Sequence, residues 1–491
     1  MYQPPIVSYP VFSVKWSKAT NADGVTTPAV IAAGGGGAGK TGVGNKISLI
    51  AIKGGAKTPS HDIAFELETS PETSNCVAAS ENGQLMAAAF GETVRVFSCN
   101  PSGFHKLHNW EADFAEKESG INSMQFSRDA SREGTDDARD GVRLATGGED
   151  GVLRVWDVSA AENYASDSMN GTNARCRRFP FRRLTATLAG ECKGHTKPIT
   201  CVVFHAAGDM LLTASKDGTC RLWDWRRCVE MALFPTASGL PSSGMTPKVI
   251  CRSCCFSPSK PDTIFTLQSG LRGSAYVTEW RYAQAATGVE TAVPEGHGPG
   301  PGGERFTVGP VHVKRVSPHP ATSMSVRTDG RRLAVANVEG TVFVYRLPGL
   351  AKVKEYRAHD LPVTGMEFAS EQTGVALKGY DLLAGSADYK VTLLKSQGSA
   401  ISVMFRQFLA FLWSIISAMA TVIFWVVAAV FWALQGFEAA VLIVVPIVGL
   451  VALGLALYHH PQELLSTIRR VIKLEGDDGQ ANNLDEAPLV A

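Results

Sequence analysis

Most of the first four hundred residues alternate between apolar and polar positions in runs of about 4–8, the period-two signature of half-buried strands. Runs such as INSMQF, VRLATGG and LRVWDV are separated by Gly, Asn-Gly, Asp-Gly or Pro-containing turns. Two later stretches break this habit. Phe408 to Leu434 and Ala439 to Tyr458 are apolar without alternation and contain no charge. Each is long enough for a helix crossing a ~30 Å hydrocarbon layer, which takes about 20 residues. The pattern therefore predicts many short strands, followed by one or two membrane helices.

The strands repeat. Ile121 to Val158 and Gly194 to Trp225 each contain an alternating strand, a turn, a small-residue strand, an Asp-Gly turn, and a strand closing on Trp-Asp. The tight turns are Asp150-Gly151 and Asp217-Gly218, and the Trp-Asp pairs are Trp156-Asp157 and Trp223-Asp224. Asp-Gly suits a two-residue hairpin because both central positions need positive φ. With Gly194-His195 ahead of the second copy, the units resemble WD repeats, which fold as four-stranded propeller blades. Weaker copies run from Phe12 to Ile52, Cys76 to Cys99, Val249 to Trp280, Ser323 to Leu347 and Ala358 to Ser396, the last with His359 and Asp388 in the usual places. The expected fold class is all-β: a seven-bladed WD-repeat β-propeller over residues 1–396, followed by C-terminal transmembrane helices. The repeated His, Asp and Trp side chains are expected to hold blades together. Stretches rich in Gly, Pro and charge, at Ser127 to Gly141, Ala161 to Phe181 and Ala285 to Gly303, read as loops.

Composition narrows the function. The chain has 491 residues, 19% charged, with a net charge of +1. Near-neutrality argues against a nucleic-acid partner, which needs a concentrated basic field. The 48 glycines and 25 prolines exclude a helical bundle as the main body. Ten cysteines without regular spacing read as small core residues of a reducing compartment. Cys251, Cys254 and Cys255 include a C-x-x-C, but no second pair stands at zinc spacing. MYQPPIVSYPVFSV has no basic segment leading into an apolar core, so no signal peptide is expected and the N-terminal portion is placed in the cytosol.

One motif carries candidate chemistry. Gly34 to Thr41, GGGGAGKT, meets the phosphate-loop spacing G-x-x-x-x-G-K-[ST]. That mechanism needs a helix directly after Lys40-Thr41 to present its amides to phosphate. Here Gly42 and Gly44 are poor helix formers, and ISLIAI then alternates like a strand. The motif is read instead as a glycine-rich excursion between two strands of the first blade, with no nucleotide of its own. Ordering such a stretch is costly in entropy; backbone carbonyls turned toward a cation would offset that, but spacing alone favours a floppy surface loop.

AGGGGAGKTGVGNKISLIAI in the first blade, the propeller, and the apolar segment directly after the last blade together resemble one family: the endoplasmic-reticulum guanine nucleotide exchange factors for the Sar-type small GTPase of the COPII coat, the prolactin regulatory element-binding protein family in animals. The resemblance implies a loop at 34–45 stiffened by a potassium ion and projecting to engage the GTPase. Val43 matches the family's apolar probe. Gly42, Val43 and Asn45 are then the residues expected to act, with Gly34, Gly35, Gly36, Gly37, Lys40 and Thr41 shaping the loop. Backbone oxygens of Gly37, Thr41 and Gly42 are the candidate ion ligands. No acid, base or nucleophile is required, so the protein would be an exchange factor without covalent chemistry. The rival readings are a non-catalytic membrane-tethered scaffold and a phosphate-loop ATPase.

The membrane anchor is expected over 407–458. Only Gln435 to Glu438 separates its two apolar runs, so a helical hairpin is favoured, although the family's plan is a single span. Lys390, Lys395 and Arg406 precede the runs and Arg469, Arg470 and Lys473 follow them, which puts both ends in the cytosol. Residues 459–491 would hold an amphipathic basic segment, Glu463 to Leu474, against lipid headgroups and then a disordered tail. The implied location is the endoplasmic-reticulum membrane with the propeller facing the cytosol.

Overall fold

The computed structural model describes residues 5–20, 25–37, 41–54, 58–127, 142–160, 184–236, 249–284, 306–370, 373 and 377–396, together with scattered helical residues between 417 and 429. It divides into a unit of residues 1–397 and a second of residues 398–491.

The first unit is built from seven antiparallel sheets. In blade 1, β1 (Val11–Thr20), β2 (Thr26–Gly34), β3 (Lys46–Lys53) and β4 (Ser60–Glu68) pair in chain order. Blade 2 contains β5 (Cys76–Ala79) to β8 (Gly103–Glu111), and blade 3 β9 (Ile121–Phe126) to β12 (Leu184–Cys192). Blade 4 contains β13 (Ile199–Phe204), β14 (Met210–Ser215), β15 (Cys220–Asp224) and β16 (Val229–Phe234). Blade 5 runs from β17 (Ile250–Phe256) to β20 (Phe306–Ser317), and blade 6 from β21 (Ala321–Val326) to β24 (Ala351–Arg357). Blade 7 has three strands, β25 (Val363–Phe368), β26 (Leu382–Ser386) and β27 (Val391–Leu394). The first strands of successive blades are neighbours around a ring, and β1 meets β25. They enclose a channel of about 1240 Å³. Most blades reach further than the repeats suggested: blade 1 continues to Glu68 and blade 5 to Ser317, whereas the strands of blade 7 fall within the repeat read at 358–396.

Packing explains the different strand patterns. Blades stack face to face, so the second strand of a blade is covered on both sides. Every residue of β6 (Leu85–Phe90), β18 (Thr263–Ser269) and β26 is buried accordingly. The outer strands touch a neighbour on one side only, and β4 is mostly exposed or half-exposed. Clusters of buried residues run between blades, one joining Val7, Tyr9, Val14, Val30 and Ile50 to Leu383, Val391 and Leu393 of blade 7.

The repeat residues do hold the blades. In blade 4, Trp223 Nε1 donates to Thr213 Oγ1 at 2.8 Å, Thr213 Oγ1 lies 2.7 Å from His195 Nε2, and His195 Nδ1 lies 2.8 Å from Asp217 Oδ2. Asp217 also accepts the Thr219 amide at 2.8 Å, closing the Asp-Gly turn. Burial works to raise the Asp217 carboxyl, but hydrogen bonds from His195 and Thr219 hold it well below the usual carboxylate range. Blade 7 keeps His359 and Asp388, 3.0 Å apart, but places Ala384 and Leu394 where blade 4 has Thr213 and Trp223.

The N-terminal segment closes the ring. Val391 N donates to Pro5 O at 3.1 Å and Val7 N to Tyr389 O at 2.9 Å, so the segment lies antiparallel beside the start of β27.

In the second unit, residues described between 417 and 429 are helical, with Met419, Val422, Trp425 and Val426 exposed. No helix among the described residues is long and apolar enough to cross a membrane. The second apolar run, at 439–458, and the tail at 459–491 lie outside the described residues, as does most of the first run and of the three interrupting loops.

Candidate functional site

The glycine-rich segment is the connection between β2 and β3. It lies on the propeller face formed by second-to-third strand loops and by the links between blades. A strand, Lys46–Lys53, follows where a phosphate loop would need a helix.

The base of the loop is tightly fixed. Gly34 ends β2 in a buried position, and Gly35 N donates to Pro10 O at 3.1 Å. Asn45 ends the loop and is 1% exposed. Its Oδ1 accepts from Gly37 N at 3.0 Å, and its Nδ2 donates to Gly37 O at 3.2 Å and to Pro71 O at 2.9 Å. Its backbone N donates to Ser70 Oγ at 3.0 Å, and its O accepts from Thr69 N at 2.8 Å. One side chain thus ties both limbs of the loop to the link between blades 1 and 2. Asn45 is turned inward, so it positions the loop and does not present itself to a partner. Below it, Tyr9 Oη donates to Ala32 O at 2.9 Å and to Ser48 Oγ at 2.7 Å, and burial pushes the Tyr9 phenol well up.

The described residues of the upper loop, 36–37 and 41–44, pack closely on one another. A β-carbon on Gly36 would collide with Thr41 Oγ1 and come within 2.9 Å of Val43 O. Thr41 Oγ1 accepts from Val43 N at 3.3 Å and lies 3.5 Å from Gly36 O. Gly42 has φ +75°, a conformation that costs other L-residues free energy, with open space around it. Thr41 and Gly42 are exposed. Val43 is half-buried and packs on the cluster containing Val7 and Tyr9. The outermost described residues are therefore Thr41 and Gly42, with Val43 on their inner flank. Lys40 lies outside the described residues.

The oxygens that close on Gly36 are Thr41 Oγ1 and the Val43 carbonyl, both neutral, and the space they face is one that a β-carbon would fill. Neutral oxygens suit a weakly charged, oxygen-preferring cation. The Gly37 carbonyl already accepts the Asn45 amide. Among the described residues, no group of three His, Cys, Asp or Glu side chains is placed to hold a metal ion.

The sequence did not single out Pro10, Ser70 or Pro71, which anchor the loop from other segments. Chain spacing carries no signal for such contacts.

The family model described as "WD domain, G-beta repeat" matches residues 109–157 and 186–224, which lie in blades 2 to 4. Three curated relatives share repeat-sized stretches. The chain is 27% identical over 169 residues to Mitochondrial division protein 1 of Aspergillus clavatus, covering 30% of this chain and 21% of that one. It is 33% identical over 107 residues to Transcription initiation factor TFIID subunit 5 of Arabidopsis thaliana, covering 20% and 14%. It is 24% identical over 190 residues to a Ubiquitin fusion degradation protein 3 homolog of Caenorhabditis elegans, covering 34% and 21%. The chain thus spans about a fifth or less of these relatives' own length. Their names have no activity in common. With the seven sheets arranged around one channel, these matches establish that the chain carries WD40 repeats folded as a seven-bladed β-propeller.

Proposed function

We propose that this propeller binds a Sar-type small GTPase through the 34–45 loop and speeds release of its guanine nucleotide at the endoplasmic-reticulum membrane, the step that starts COPII coat assembly. The observation that carries the reading is the inward staple by Asn45, which holds an exposed Thr41-Gly42 tip on a rigid base. The sequence resemblance supplies the partner. The physics asks for little more. A protein that binds the nucleotide-free GTPase better than the loaded form weakens nucleotide binding by the same factor, because coupling is reciprocal. A stiff loop pushed against a switch segment achieves this without a catalytic acid or base.

A potassium ion fits the donor set. Thr41 Oγ1 and the carbonyls of Gly36 and Val43 would hold it, and it would lower the entropic cost of a fixed loop. This differs from the ligand set read from sequence in two respects: Gly36 and Val43 take the place of Gly37 and Gly42, and Thr41 would contribute its side-chain hydroxyl instead of its backbone oxygen. The second unit supports a membrane anchor, because the helical Met419, Val422, Trp425 and Val426 are bare in the way that lipid-facing side chains are.

The test is release of fluorescent GDP from the GTPase by the full chain in lipid vesicles, in K⁺ and in Na⁺ buffers. Val43→Asp should cut the rate by about tenfold or more, a loss of ~1.4 kcal/mol, and leave vesicle association unchanged; because Val43 packs on the Val7–Tyr9 cluster, a melting curve of the variant separates loss of exchange from loss of fold. The alternative is a membrane-tethered WD-repeat scaffold, which the propeller itself equally suits. Wild-type chain that binds the GTPase without speeding release would establish that reading instead.

A further inference from the structure

Blades 4 and 5 bring three thiols together on and behind the channel wall, away from the glycine loop. Cys201 of β13 is half-buried and lines the channel. Cys254 of β17 is 1% exposed, and Cys220 of β15 is fully buried. Cys201 packs against the buried cluster that contains Cys254 and Cys220, so the thiols share the seam between the two blades. Cys201 Sγ lies 3.8 Å from the Cys254 carbonyl oxygen and 3.7 Å from Ser253 Oγ. Thr200 Oγ1 donates to Cys251 O at 2.6 Å, which fixes the two inner strands against each other at this level.

The members of the pair differ in character. The hydrogen bond from Cys254, working against burial and helped by Ser253 and by the positive charge of Lys15, holds Cys201 at about 6. Burial pushes Cys254 well above the usual thiol range. Lys15 lines the same channel, paired with Glu367 at 3.3 Å. Cys255 also lines the channel, but burial raises it well above the usual range. A half-buried thiol that faces a channel and ionises readily, beside a protonated partner, is the arrangement in which one sulfur attacks an oxidant and the other resolves the product.

We propose that Cys201 is a peroxide-reactive thiol that, once oxidised, forms a disulfide with Cys254 and so ties blade 4 to blade 5 across the channel wall. In the first step the Cys201 thiolate attacks one oxygen of hydrogen peroxide. The S–O bond forms and the O–O bond breaks. Hydroxide leaves and takes up the proton that the thiol released, so peroxide is reduced and Cys201 becomes a sulfenic acid. In the second step the Cys254 sulfur attacks Cys201. The S–S bond forms, the S–O bond breaks, and water leaves with the Cys254 proton. The sum is two thiols and one peroxide giving one disulfide and two waters.

The experiment treats the purified full chain with hydrogen peroxide, digests it with trypsin without reduction, and sequences cross-linked peptides by mass spectrometry. Wild type should yield a peptide joining Cys201 to the Cys254–Cys255 segment. Cys201→Ser should lose it, and Cys255→Ala and Cys228→Ser should keep it. Cys254→Ala should lose it and leave a sulfenic acid on Cys201 that dimedone traps, at least about tenfold above labelling of Cys255. A link that survives Cys254→Ala, an unmodified Cys201, or oxidation confined to the exposed Cys228 would overturn the proposal. Should Cys254→Ala misfold, the Cys255→Ala chain still decides which sulfur is joined.

Discussion

The Trp223–Thr213–His195–Asp217 chain shows how much one buried hydroxyl can hold. Thr213 is fully buried, accepts from Trp223 and bonds His195. Thr213→Val keeps the shape and removes both partners at once, leaving two buried ring nitrogens unsatisfied. Each such orphan costs about 1–3 kcal/mol, so the variant should unfold about 3 kcal/mol sooner in a urea titration. A loss below about 0.5 kcal/mol would mean that the chain adds nothing to stability. His195, Asp217 and Trp223 were readable in the sequence because they flank turns, whereas Thr213 sits inside a small-residue strand where nothing marks it. His359 leads to a pH prediction. Burial lowers its pKa below the usual value, and nearby Asp388 only partly opposes this. Below the unfolded value near 6.5, the unfolded chain takes up a proton that the folded chain refuses, so stability falls as pH drops from about 6.5. Asp217, whose folded value is depressed, adds a further loss only below the ordinary Asp range near 4. Melting measured from pH 7.5 down to 5 should therefore fall, and His359→Asn should flatten the slope between about 6.5 and 5. An unchanged slope in the variant would assign the acid sensitivity elsewhere.

The glycines of the 34–45 loop differ in what they do, and substitution separates their roles. Gly36 is a steric requirement, because Thr41 Oγ1 and Val43 O occupy the space of its missing side chain. Gly42 is a conformational one, with φ +75° and nothing nearby. Gly36→Ala should force the upper loop to rearrange and raise amide exchange at Val43 and Asn45 by tenfold or more. Gly42→Ala costs only about 1 kcal/mol of backbone strain and should leave those amides protected. Equal deprotection in both variants would show that the loop is not built as described. The sequence could place the loop between two strands because ISLIAI alternates and Gly42 and Gly44 stop a helix. It could not show that Asn45 faces inward or that Val43 is half-covered, because their partners Pro71, Val7 and Tyr9 come from other segments. The outer strands of blades 1 to 6 were missed for a related reason. A strand such as β4 faces solvent along much of its length, so it lacks the apolar pattern that marked the inner ones.

At the scale of the whole ring, everything depends on how blade 7 meets blade 1. A propeller has no packed core at its centre, where this one has a channel whose lining mixes serines, Lys15 and Glu367 with apolar side chains such as Val14, Met124 and Phe368. Its stability comes from the seams between blades. Six seams join blades that are consecutive in the chain, and the seventh must join the two ends of the array. Here Pro5 to Val7 lie beside β27, supplying two backbone hydrogen bonds to a sheet with three strands among the described residues, and Val7 is 2% exposed. Removing residues 1–7 gives up those bonds, about 1 kcal/mol each, and the burial of one valine, about 1.5–3 kcal/mol. It also bares the edge of β27, which becomes free to pair with another chain. The shortened protein should thus melt several degrees lower and form dimers or larger species at concentrations where the full chain does not. Val7→Ala, which removes apolar burial but keeps the backbone pairing, should lower the melting point without promoting association. Light scattering and calorimetry on the three proteins separate the two contributions. If the truncated chain matches the full one in both measurements, the ring is closed by the side-chain contacts of β1 with β25 and β26 alone.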